Sequence, residues 1–119
     1  MLYNTKLKEL DEKYEEDIKK IDDDEIKSIG DIRNQYISNI QPLLIEHNTL
    51  VVKGEDTSGI RSQINQQLNS MKKSIATEQQ KANDARQKAN DDLKKNKKEA
   101  EVNYKRKLKE HEDDFNKTV

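Results

Sequence analysis

The sequence predicts an all-α fold, a long antiparallel two-helix coiled-coil hairpin with an eleven-residue repeat, and three observations predict it. Apolar residues recur at spacings of three, four and four along most of the chain. One segment rich in glycine and capping residues interrupts the pattern near the middle. The composition is 30% hydrophobic and 39% charged, with 23 basic and 24 acidic residues, so core-forming side chains are scarce while opposite charges nearly cancel. Regular spacing and balanced charge together describe a long helix better than a globule or a disordered chain.

The first periodic segment, about residues 2–50, carries three rows of residues eleven apart. Leu7, Ile18, Ile29 and Ile40 form one; Leu10, Ile21, Ile32 and Leu43 the next; Tyr14, Glu25, Tyr36 and His47 the third, with Tyr3 one repeat ahead. Only Glu25 and His47 depart from apolar character. Pro42 lacks a backbone N–H and its ring clashes with the preceding turn, which predicts a break or kink near residues 39–41. The residues after it include Leu43, Leu44, Ile45, Leu50, Val51 and Val52, the most apolar stretch of the chain, and its β-branched end suits a short extended piece.

Lys53-Gly54-Glu55-Asp56-Thr57-Ser58-Gly59 reads as the turn. Gly54 suits a left-handed helix end, and Asp56, Thr57 or Ser58 suits a cap for the second helix. That helix, about 58–117, repeats the period as Ile60, Met71, Ala82, Leu93, Tyr104 and Phe115, and again as Ile64, Ile75, Arg86, Lys97, Leu108 and Val119. A weaker third row runs through Leu68, Ala89 and Ala100, whose small members let a neighbouring helix approach closely.

If the chain folds back between Glu55 and Asp56, the rows of one helix meet those of the other. Leu7 then faces Tyr104, Ile18 faces Leu93, Ile29 faces Ala82 and Ile40 faces Met71, the expected hairpin core. Tyr3 faces Leu108, Tyr36 faces Ile75, and Tyr14 faces Lys97, whose stem would lie over the ring. The acidic intruder Glu25 falls opposite the basic intruder Arg86, and this pair is expected to set register more than stability, because desolvation offsets much of the attraction. Charge is segregated in the same sense: residues 9–31 hold eleven acids and four lysines, and residues 94–109 hold eight bases and two glutamates. The domain reading is one elongated hairpin spanning 1–119, about 75 to 90 Å long at ~1.5 Å per residue.

Catalytic chemistry finds no foothold in this pattern. Cysteine is absent, and the only histidines, His47 and His111, fall near opposite ends of the hairpin. The acidic run Asp22-Asp23-Asp24-Glu25 lacks the alternating ligands and central glycine of a calcium loop, so a solvated acidic face is the better reading. No phosphate-cradling glycine loop occurs. The sequence therefore predicts no enzyme, no catalytic residues, no metal site, no cofactor and no small-molecule substrate. No run approaches the ~20 apolar residues of a membrane span, and the start at Met1 lacks the apolar core of a signal peptide, so a soluble protein without a membrane partner is expected, in the cytoplasm by default or within a virion.

The first functional expectation is a structural or scaffolding protein, an oligomerising hairpin that serves as spacer or packing element in a larger assembly, with a phage particle as one setting for so short and lysine- and asparagine-rich a rod. Its partners would be further copies or another helical protein, since one apolar stripe per helix is thin protection. Ile26, Ile37, Leu44, Val51 and Val52 are the candidate partner contacts. A second expectation is a binding module that grips a client with the apolar tip: the layout of two long helices and a short connector resembles a prefoldin subunit, which implies a holdase. A third, ranked below these because the net charge is −1, is nucleic-acid organisation through Lys94, Lys95, Lys98 and Arg106 contacting phosphates.

Overall fold

A computed structural model describes residues 2–118, with the side chain of residue 118 left aside. Two helices account for nearly all of them, α1 (Leu2–Lys53) and α2 (Ser58–Thr118), and they pack against each other as a hairpin. Packing divides the hairpin into two compact units. The turn unit is Asp22–Asn83, and the termini unit pairs Met1–Ile21 with Asp84–Val119.

In the turn unit, Ile40 and Ile60 are 9% and 4% exposed and Ala82 is buried with them. Ile29, Ile32, Tyr36, Leu43, His47 and Leu50 of α1 are half-buried, as are Ile64, Leu68, Met71 and Ile75 of α2. Tyr36 Oη lies 3.5 Å from Ser74 Oγ across the seam. Ile60, the most protected of these side chains, packs in the first turn of α2; truncating a buried isoleucine to alanine costs about 2–5 kcal/mol.

In the termini unit, Leu10 is the buried apolar residue. Leu7, Tyr14, Ile18 and Ile21 stand half-buried on α1, and Ala85, Ala89, Leu93 and Ala100 on α2. Tyr3 stacks on Tyr104 with ring centroids 4.6 Å apart and planes 14° from parallel. Lys97 Nζ reaches Asp11 Oδ1 at 2.6 Å. From Glu101 to Lys117 every residue of α2 is exposed.

Three sequence expectations need correction. α1 is continuous through Pro42, with no break near residues 39–41. The proline removes one N–H, but Ser38, whose carbonyl loses its partner, is exposed and can turn to water, and the inward residues on either side, Ile40 and Leu43, hold the helix against α2. Val51 and Val52 are likewise helical rather than extended.

The third correction concerns register at the termini end. Tyr3 stacks on Tyr104, one helical turn from the expected Leu108, and the Lys97 ammonium pairs with Asp11. Interdigitating side chains sit between two positions of the facing helix, so a fold-back rule locates a neighbour only to within a turn. Within that turn, ring stacking and charge pairing choose the contact.

Candidate functional site

The turn is built from two interlocking caps. Glu55 N–H donates to the Leu50 carbonyl at 2.9 Å and Gly54 N–H to the Val51 carbonyl at 3.1 Å, the paired bonds of a Schellman motif. The motif requires a left-handed residue, and Gly54 supplies it at φ 71°. Three residues on, Arg61 N–H donates to the Thr57 carbonyl at 2.9 Å, which opens α2. Asp56 braces that opening by accepting from the Ser58 N–H at 3.1 Å and from the Ser58 hydroxyl at 2.7 Å. These bonds, the hydroxyl first, hold the Asp56 carboxyl below its ordinary value of 3.8. Beside them a shallow polar depression of about 530 Å³ is lined by Asp56, Ser58, Arg61, Asn65 and Asn69, among others.

The part of the turn unit nearest the turn is sparing with charge on both helices. Only six of the 40 residues from Ile32 to Met71 are ionised at neutral pH (Arg33, Glu46, Lys53, Glu55, Asp56 and Arg61), in a chain that is 39% charged. Several of its large apolar side chains nevertheless face solvent: Ile37, Leu44 and Val51 about half exposed, and Ile26, Ile45 and Val52 more fully. Five of these are the sequence-derived candidates for partner contact. Ile45, at 69% exposed, joins them; it lies in the same apolar run after Pro42 as Leu44, Val51 and Val52.

Of the expected core, Ile40 and Ala82 are buried, and Leu7, Ile18, Ile29, Met71 and Leu93 are half-buried. Tyr104 is 40% exposed, protected on one side by Tyr3. Glu25 is half-buried in the turn unit and Arg86 is half-buried in the termini unit; each takes part in a polar or electrostatic interaction. The candidate phosphate contacts Lys94, Lys95, Lys98 and Arg106 are all exposed on α2.

Part of the basic block is directed at the chain's own acids. Lys97 pairs with Asp11, Lys105 Nζ lies 2.9 Å from Glu101 Oε1, and Arg106 Nε lies 3.8 Å from Glu110 Oε1. The Lys105 contact lowers the Glu101 carboxyl and raises the Lys105 ammonium. An open groove of about 880 Å³ adjoins this block, with Leu2, Tyr3, Leu10, Tyr104 and Leu108 as its apolar lining and lysines such as Lys6 and Lys107 on its rim. Sequence reasoning missed it, because its rows assigned Tyr104 and Leu108 to the seam.

Among the described residues no cluster of His, Asp or Glu is arranged to hold a metal ion, and no helix is long and apolar enough to cross a membrane. No protein-family model, curated protein or solved structure matches this chain.

Proposed function

We propose that this chain is a non-catalytic assembly element, an oligomerising coiled-coil hairpin that packs against further helices in a larger structure. One observation carries the reading: the hairpin buries few apolar side chains fully and leaves many large ones exposed. Among the described residues four apolar side chains are buried, none below 2% exposed, while eleven large hydrophobic residues are exposed. The chain presents 9543 Å² of accessible surface, whereas a globular monomer of 13.9 kDa presents about 6,700 Å².

The inward positions of α1 at residues 7, 18, 29 and 40, and at 10, 21, 32 and 43, support the eleven-residue repeat as the pattern of the seam. Sedimentation velocity with light scattering, over a hundredfold range of concentration and at two salt concentrations, tests the reading. A concentration-dependent oligomer is expected; a strict monomer throughout would remove self-assembly.

A second reading has its own support. Leu44, Ile45, Val51 and Val52 are all exposed beside the turn, where a holdase would grip an unfolded client. Suppression of the aggregation of a heat-labile enzyme, lost on substituting Val51 and Val52 with serine, would favour it.

A further inference from the structure

We infer that one side of α1 in the turn unit is a self-complementary docking face for a second copy of this chain, arranged antiparallel about a two-fold axis near Gln41. The inference rests on the proposed assembly role and names the surface that performs it.

At about 100° per residue, Ile26, Ile37, Leu44 and Val51 fall within about 40° of one another, a single straight stripe along the helix. All four are exposed, between 46% and 70%. The stripe lies beside the inward face rather than on it, so α2 of the same chain does not cover it. The opposite flank of α1, at Ser28, Gln35, Asn39, Glu46 and Thr49, is polar.

Three features identify the occupant as the chain itself. The central part of the stripe pairs with itself: with two copies antiparallel, Ile37 of one lies against the partner's Leu44, Val51 over the partner's Gly30 and Arg33 against the partner's Asn48, while Ile26 lies at the margin, level with the partner's turn. Gly30 is required neither by a left-handed backbone nor by a tight contact within its own chain, since its φ is not positive and a Cβ built there meets nothing within 4 Å. A mid-helix glycine is costly, and close approach of another helix explains it. Finally, a two-fold contact sets each face's charge against the same charge, so it requires a charge-poor surface. Along the stripe itself Arg33 is the charged residue, and the two-fold sets it against the partner's Asn48 rather than against its own copy; Glu46 lies on the polar flank, and Lys27 and Asp31 lie to the side near the Ile26 margin.

The cysteine-free chain permits a direct test. Gln41→Cys, at an exposed position near the axis, should form a disulfide-linked dimer under mild oxidation, while Lys95→Cys should not. By sedimentation equilibrium, Leu44→Lys and Gly30→Leu should each weaken the dimer at least tenfold, and Ile45→Lys, off the stripe, should leave it unchanged. Gly30→Leu guards against misfolding as an explanation, because leucine favours helix and has open space within the chain, so circular dichroism should show undiminished helix content. A dimer indifferent to Leu44→Lys and Gly30→Leu overturns this face while leaving the assembly role standing. A chain that stays monomeric at every concentration overturns both.

Discussion

Tyr3 and Tyr104 stack nearly parallel at 4.6 Å, and they tie the first turn of α1 to a stretch of α2 that is otherwise open to water. Aromatic pairs contribute about 0.5–1.5 kcal/mol beyond the area they bury. A double-mutant cycle with Tyr3→Ala and Tyr104→Ala should return a coupling in that range. Hydrogen exchange should quicken in residues 3–10 for either variant and stay unchanged in the turn unit. Equal protection in wild type and variants would mean that the stack orders nothing.

The Lys97–Asp11 bridge is short but partly exposed, 39% and 50% on its two side chains. An exposed ion pair contributes about 0.2–1 kcal/mol and is screened by salt. The coupling between Lys97→Met and Asp11→Asn should fall in that range at low ionic strength and fade in molar salt. A coupling that survives molar salt would point to packing of the lysine stem instead.

The helical-hairpin class was readable because two kinds of signal agree: inward residues such as Leu10, Ile40, Ile60 and Ala82 keep helical spacing, and Gly54 marks the one place where the chain can reverse. The finer pairing was not readable, for a physical reason. A residue such as Tyr3 has two positions of the facing helix within reach, Tyr104 and Leu108, and both line one groove. Composition does not say which ring prefers which neighbour. Exposure at Leu108 and Phe115 was hidden for another reason: a repeat reports which face a residue occupies, and not whether any helix covers that face.

Gly30 and Gly54 should respond to alanine with opposite signs. Gly54 stands at φ 71°, where a Cβ costs roughly 1–2 kcal/mol, so Gly54→Ala should destabilise by about that amount. Gly30 has helical geometry and open space, and Gly30→Ala should stabilise the monomer by about 0.5–1 kcal/mol. Urea unfolding at concentrations below dimerisation checks both. A loss of stability at Gly30 would place an unseen neighbour against it in the monomer.

Asp56 links stability to pH. Its folded carboxyl is lowered from 3.8 by the Ser58 hydroxyl and N–H, so it binds protons less readily folded than unfolded. Its stabilisation is therefore complete above the unfolded value and is lost as pH falls through the lower folded value. Asp56→Ala should lower the melting midpoint modestly at neutral pH, and the gap from wild type should narrow as pH falls through and beneath the ordinary aspartate range. A gap of constant size down to pH 2 would mean that the alanine acts on the backbone of the turn and not through the charge.

Pro42 offers the largest expected gain. The helix passes through it unbroken, so the local geometry already suits a residue with an N–H, and the Ser38 carbonyl is the acceptor that residue would restore. Proline in a helix interior is about 3 kcal/mol less favourable than alanine, although part of that is offset because proline also restricts the unfolded chain. Pro42→Ala should therefore raise stability by roughly 2–3 kcal/mol, read from urea unfolding. Its dimer should be unchanged, because Pro42 lies on the polar flank and not on the Ile26–Val51 stripe. A variant no more stable than wild type would show that α1 is bent at Pro42 to fit α2, and that straightening it costs as much packing as the new hydrogen bond returns.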